Sequence, residues 1–192
     1  MEVGTKSVLW GVHAFWWHPT TVLIAWVKLY GIPNWKELVC IFIHDLGYWG
    51  KSNMDGADGE THPEYAAVWA FDHLDDHSLT SGIEPMKWDV PGAFRYFELC
   101  AYHSRTTAKN CGKEPSKLCW ADKLSIKYDP WWFYLLRAKL SGEIHEYIKD
   151  AIALGGISEK STEKEWFMWA RARGIKVAQT RDPARAYDKS VM

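Results

Sequence analysis

Asn34-Trp35-Lys36-Glu37-Leu38-Val39-Cys40-Ile41-Phe42-Ile43-His44-Asp45-Leu46-Gly47 is the stretch on which the fold turns. Asn34 with Glu37 three residues later is a capping-box variant that opens a helix. The run Leu38 to Ile43 is apolar without interruption. Periodicity alone would also fit a buried strand, but the cap and the length favour a helix. A helix that is apolar all round is expected at the centre of a core. Gly47 reads as its stop.

The flanking sequence is also punctuated as helices. Pro19 suits a first helical position, and Val22, Trp26 and Leu29 recur at helical spacing until Gly31. Residues 48–60 are rich in Gly, Asn and Asp and read as a loop. They fail the calcium-loop pattern, because Asp58 stands where its glycine belongs. Thr61 with Glu64 reads as a second capping box, with Pro63 in the first turn of a helix to about Leu74. Asp89 and Pro91 are expected to open a helix reaching about His103. Further helices are expected from about Ser116 to Tyr128, from Asp129-Pro130 to near Gly142, and over 143–154. A last one opens at Thr162 and Glu165 and stops at Gly174. The fold class is therefore all-α, a single-domain helical bundle over residues 1–174 with a loose polar tail at 175–192.

The composition agrees with that reading and narrows the function. The chain has 192 residues, 47% hydrophobic and 24% charged, with a net charge of -1. This is globular composition, long enough for a sizeable core. Near-neutral charge gives no footprint for duplex DNA. The 13 Trp are expected mostly in the core, because an indole buries so much area. Cys40 and Cys100 sit in apolar runs and read as buried small hydrophobes, while Cys111 and Cys119 lack zinc-finger spacing. Four Cys without a disulfide framework point to a reducing, cytoplasmic setting. Val8 to Val27 is broken by His13, His18, Pro19, Thr20 and Thr21, so it reads neither as a membrane span nor as a signal peptide.

The histidines carry the chemistry. His18, His44, His62 and His103 fall at or near expected helix ends. His44 is followed by Asp45, and neighbouring helical residues point about 100° apart, so the two can flank one ion. Asp122 lies among Leu118, Ala121 and Ser125, and a buried Asp there needs a partner that a metal supplies. Nitrogen and carboxylate donors suit Zn, Fe, Mn, Co or Mg rather than a thiolate site.

Three segments in this order, His18-Pro19-Thr20-Thr21-Val22, Ile41-Phe42-Ile43-His44-Asp45-Leu46-Gly47 and Ala121-Asp122-Lys123-Leu124-Ser125, resemble the HD-domain superfamily of metal-dependent phosphohydrolases. The similarity covers about residues 10–130. It implies that His18, His44, Asp45 and Asp122 hold one ion. It implies further that His62 and His103 add a second, with Asp45 bridging. His13 is the rival for the first position. Two divalent ions (Mn, Fe, Zn, Co, Ni or Mg) are the implied cofactors, and a small phosphorylated molecule such as a nucleotide is the implied substrate. A metal-bound hydroxide would attack the phosphate ester. Lys123, Arg105 and Lys51 are the candidate cations for the phosphate, and Glu60 or Asp58 the candidate acid or base. Tyr48 stands where many binuclear phosphodiesterase members carry Lys, which sets the chain apart from the cyclic-dinucleotide branch. The same order of ligands also resembles the HD-fold di-iron oxygenases, which gives a second expectation: oxidation of a small polar substrate. A non-catalytic binding module is the third reading, weakened by the presence of all six ligands. His73, His77 and His145 read as ordinary surface histidines.

Overall fold

The computed structural model describes residues 1–76 and 94–181. Among them the chain is a single-domain, all-α bundle of ten helices. The helices are α1 (Val3–Trp10), α2 (His18–Tyr30), α3 (Trp35–Ile43), α4 (Pro63–Leu74), α5 (Arg95–Ala101), α6 (Arg105–Asn110), α7 (Lys117–Ser125), α8 (Trp131–Ser141), α9 (Glu143–Ala153) and α10 (Glu163–Thr180). None of these helices is long and apolar enough to cross a membrane.

Local signals set several of the ends. Asn34 and Thr162 each accept the backbone N–H of a Glu three residues on, and that Glu reaches back, so α3 and α10 open on complete capping boxes. Gly142, at φ +91°, is both the C-cap of α8 and the N-cap of α9, so the chain turns from one helix into the next at a single residue. Asp75, just past α4, accepts the N–H groups of Tyr96 and Phe97 at 2.9 Å each. The end of α4 is thereby pinned to the start of α5. The opposite ends of this pair, carrying His62 and His103, are brought together.

One core lies between α2, α3, α4, α5 and α7 and contains Val22, Trp26, Cys40, Ile41, Cys100 and Leu118. Its helix contacts are lined by small residues, among them Ala66, Ala67, Ala70 and Ala121, all essentially without exposure. A second core of Tyr134, Leu135, Ile144, Trp166 and Phe167 joins α8, α9 and α10.

Several expectations need correction. α3 is not the central helix. Only Glu37, Cys40 and Ile41 of it are buried, while Trp35, Leu38 and Phe42 are exposed. An unbroken apolar run has no periodicity to say which face is inward. Gly47 does not stop α3, which ends at Ile43. It lies instead in the 3₁₀ turn Leu46–Tyr48. Thr61 is not a cap, since it belongs to the 3₁₀ turn Gly59–Thr61 and α4 starts after His62 without a side-chain cap. Gly174 does not end α10, which continues to Thr180 with Ala178 buried. A Cβ on Gly174 would lie 2.8 Å from the Lys123 carbonyl oxygen, so this glycine lets α10 cross α7 closely. Nor are the tryptophans mostly core. Trp26, Trp120 and Trp166 are buried, but Trp10, Trp16, Trp35, Trp49, Trp131 and Trp132 are exposed. Alanine-lined helix contacts leave little room for indoles, which lie instead around the outside. Two helices, α1 and α6, are additions to the sequence reading. The expected helix start at Asp89 and Pro91, His77, and most of the expected tail lie outside the described residues.

Candidate metal centre

Six side chains converge where the first turn of α2, the end of α3, the start of α4, the end of α5 and the middle of α7 meet. His18 is the first residue of α2, His44 follows α3, His62 precedes α4, His103 follows α5, and Asp122 lies within α7. All are buried except Asp122, whose side chain keeps 13% of its surface exposed. Two overlapping groups have the donor atoms for an ion: His18, His44, Asp45 and Asp122, and then Asp45, His62 and His103.

The two oxygens of Asp45 serve different groups. Oδ2 lies 3.1 Å from His18 Nε2 and 3.1 Å from His44 Nε2. Oδ1 lies 3.3 Å from His103 Nε2 and 3.7 Å from His62 Nε2. Asp122 Oδ1 completes the first group, 3.1 Å from His18 Nε2. Atoms about 2.1 Å from one ion at tetrahedral or octahedral angles stand roughly 3.0–3.4 Å from each other, and most of these separations fall in that range.

Backbone bonds aim the imidazoles. His44 Nδ1 is 2.8 Å from the Ile41 carbonyl oxygen and His62 Nδ1 is 2.7 Å from that of Gly59, while His103 Nδ1 meets the Cys100 carbonyl. A carbonyl accepts only, so Nδ1 carries the hydrogen and Nε2 presents its lone pair to the cluster. His18 Nε2, His44 Nε2 and Asp45 Oδ2 are buried without a hydrogen-bond partner among the described residues. Orphaned donors and acceptors of this kind are costly in a core, and a divalent cation satisfies all three. The site residues therefore fit a metal.

Charge states point the same way. Burial pushes His44 and His62 below their usual range, with the neighbouring His103 adding to the effect at His62, so both stay neutral. Burial alone would raise Asp45, but the surrounding imidazoles, His44 first among them, hold it well below the usual carboxylate range. Asp122 behaves likewise, its burial outweighed chiefly by Lys123 and His18. In His44, His62, Asp45 and Asp122 these are the forms that bind a metal, while at His18 the carboxylates of Asp122 and Asp45 outweigh burial and raise the pKa to about 9, holding a proton that an ion displaces.

Packing fixes the approach of the second group. A Cβ on Gly47 would lie 1.9 Å from the His62 carbonyl oxygen. Only glycine lets the turn after Asp45 press against His62. The Tyr48 ring then stacks on the His62 ring at 3.9 Å and 12°, so Tyr48 is a wall of the site.

The other candidates are dispersed. His13 is not among the converging donors. Its Nδ1 is 2.9 Å from Ser7 Oγ, and its ring packs edge-on against His18. Lys123 Nζ lies 2.8 Å from Asp122 Oδ2, at the edge of the first group. Arg105 opens α6 beyond His103 and forms no ion pair among the described residues. Lys51 is tied to Asp58 Oδ1 at 3.3 Å and to Thr61, so it staples its own loop. Asp58 also accepts two bonds from Ser52, and Glu60 is exposed. His73 and His145 are exposed. Cys40, Cys100 and Cys119 are buried, Cys111 is exposed, and all four are free thiols.

Sequence reasoning did not anticipate Arg173 of α10, next to the close crossing at Gly174. Burial and the charge of Arg105 both lower its pKa, and Arg105 likewise opposes the charge on Lys123. Nor did it anticipate the buried Arg137, Asp129 and Glu143 behind the first turn of α2. No local signal marks these residues, because the segment they bond to, Gly11, Val12 and Trp17, is distant in sequence. A cleft of about 240 Å³ lined by Glu37, Arg95, Glu98 and Tyr102 among others shares no residue with the cluster.

In comparison with known proteins, no family model matches the chain, and no match is found among curated proteins or among solved structures.

Proposed function

We propose that this protein is a metal-dependent phosphohydrolase that cleaves a phosphate ester of a nucleotide or another small phosphorylated metabolite. One observation carries the reading. The carboxylate of Asp45 turns one oxygen to the His18–His44–Asp122 group and the other to the His62–His103 pair. His18, His44, Asp45 and Asp122 would hold one ion, and Asp45, His62 and His103 the other. A divalent ion in such a site lowers the pKa of bound water toward ~7 and polarises a phosphoryl oxygen.

The remaining roles belong to the chain. Lys123, held against Asp122, and Arg105, without a carboxylate partner among the described residues, supply positive charge beside the first group for phosphate oxygens. Tyr48 shields the His62 side of the site from water. The alternative reading, an HD-fold di-iron oxygenase, uses the same donors. The cations Lys123, Arg105 and Arg173 favour an anionic phosphate over an uncharged polar substrate.

The test is a hydrolysis screen over nucleotides and phosphorylated metabolites with Mn, Co, Ni, Zn and Mg in turn, together with metal analysis. Released phosphate with one or more of these ions supports the proposal. Two equivalents of iron, an absorption band that changes on exposure to air, and no phosphate release from any substrate would reject it for the oxygenase.

A further inference from the structure

Three of the four clustered imidazoles are aimed by their own turn of backbone, and the fourth is not. His18 has no Nδ1-to-carbonyl bond among the described residues. Its backbone N–H donates to the Ala14 carbonyl at 2.9 Å, and its own carbonyl accepts from Thr21 Oγ1 at 2.8 Å. Its ring leans on two others, His13 and His44, each with ring centres 5.3 Å away. The direction of His18 therefore depends on the segment that delivers it, residues 11–17.

That segment is held from behind by buried charge. Arg137 Nη1 donates to the carbonyls of Gly11 at 3.0 Å and Val12 at 2.9 Å. Arg137 Nη2 pairs with Asp129 Oδ2. The other oxygen of Asp129 accepts from Trp17 Nε1 at 3.2 Å. Glu143 Oε2 accepts the Val12 N–H at 3.0 Å, and its Oε1 stands 3.7 Å from His13 Nδ1. Arg137, Asp129 and Glu143 are 2%, 4% and 0% exposed.

Burying three charges is costly, and a well-packed apolar cluster of equal volume is often as stable. What charges supply and apolar groups do not is directional bonding to the free backbone groups of an irregular segment. Every hydrogen bond of this cluster to the 11–17 segment falls on Gly11, Val12 or Trp17, at the two ends of the stretch that leads into His18.

We infer that the buried Arg137–Asp129–Glu143 cluster, carried on α8, α9 and the turn before them, is a positioning device for His18 and hence for one of the two ion subsites. The inference rests on the metal-site reading above. The other subsite, with Asp45 Oδ1, His62 and His103, is fixed by backbone carbonyls and Gly47 and does not depend on this cluster. Loss of partners that orient a ligand typically weakens metal binding about 10–100-fold.

The experiment is a cobalt(II) titration of the metal-free full-length chain, followed by visible absorption and calorimetry. The unaltered chain is compared with Glu143→Gln, Arg137→Met, Arg137→Lys, His18→Ala and His62→Ala. Arg137→Met and Glu143→Gln should weaken about 10–100-fold the same binding step that His18→Ala removes. The step that His62→Ala removes should be unchanged. Arg137→Lys, which restores a charge and one donor, should recover part of the loss. If Arg137→Met fails to fold by circular dichroism, Trp17→Phe removes the single bond to Asp129 and should give a smaller shift in the same step. Two cobalt steps that weaken together, or do not change in any of these variants, would overturn the positioning role while leaving the metal site standing. An unaltered chain that takes up no cobalt would overturn the metal site itself, and with it this inference.

Discussion

His62 Nε2 and His103 Nε2 face each other at 3.0 Å, while the Nδ1 of each ring is engaged with a backbone carbonyl. With the hydrogen of each ring on Nδ1, the two Nε2 lone pairs point at each other, which is repulsive. A proton or a metal between them removes the repulsion. Replacing either His by Ala should lower metal content from about two equivalents toward one and reduce activity by several orders of magnitude. Metal analysis of the purified variants checks it. Two equivalents retained in both variants would contradict the second subsite.

Asp45→Asn is the sharper change. It keeps the volume of the side chain and removes the charge shared by both groups. Metal content should fall to near zero and activity to background, while the far-ultraviolet circular dichroism stays helical. An active Asp45→Asn protein would remove the bridging role.

The metal-free protein should show a proton linkage at His18. Burial alone would lower its pKa, but the carboxylates of Asp122 and Asp45 outweigh burial and raise it from 6.5 to about 9. A raised folded-state value means stabilisation present in full below about 6.5 and lost as pH rises through about 9. An ion displaces that proton. Near pH 7.5, metal binding should therefore release about one proton from His18 and tighten by up to about tenfold per pH unit until about pH 9. Calorimetry in buffers of different ionisation enthalpy measures the released proton. Affinity that does not change with pH over this range would contradict the linkage.

Gly47→Ala tests the close approach. The added methyl would lie 1.9 Å from the His62 carbonyl oxygen, so the turn or the histidine must move. Overpacking of this kind costs about 1–3 kcal/mol. A lowered melting temperature with selective loss of one metal equivalent is expected, and an unchanged melting curve would argue against the constraint.

Lys123 and Arg105 should act on substrate rather than on metal. Lys123→Met and Arg105→Gln each remove a charge-assisted bond worth about 1.5–3 kcal/mol. For each, kcat/KM should fall about 10–100-fold, mainly through KM, with metal content preserved. Steady-state kinetics with metal analysis separates these effects. A loss of bound metal in either variant would move that residue from substrate binding to metal retention.

Residues whose signal is local were legible from the chain alone. Asn34 and Thr162 declare helix starts through a Glu three positions on, and His18, His44, Asp45 and Asp122 keep a recognisable order. What local pattern does not carry was missed. The run from Leu38 to Ile43 has no polar residue to mark its outer face, so its placement at the edge of the bundle could not be read. Gly47 and Gly174 have ordinary helix-stop credentials, yet each is required by a neighbour distant in sequence, the carbonyl of His62 in one case and of Lys123 in the other. The same holds for Glu143 and Val12, whose bond joins α9 to the segment before α2. The exposed indoles were misjudged because area favours burial only where the helices leave room.

Asp75 has a consequence for how such a chain can change. By holding the N–H groups of Tyr96 and Phe97, it closes a clasp across the sequence from 76 to 94. The spacing of His62 and His103 is then set by the paired helices and not by the number of residues running between them.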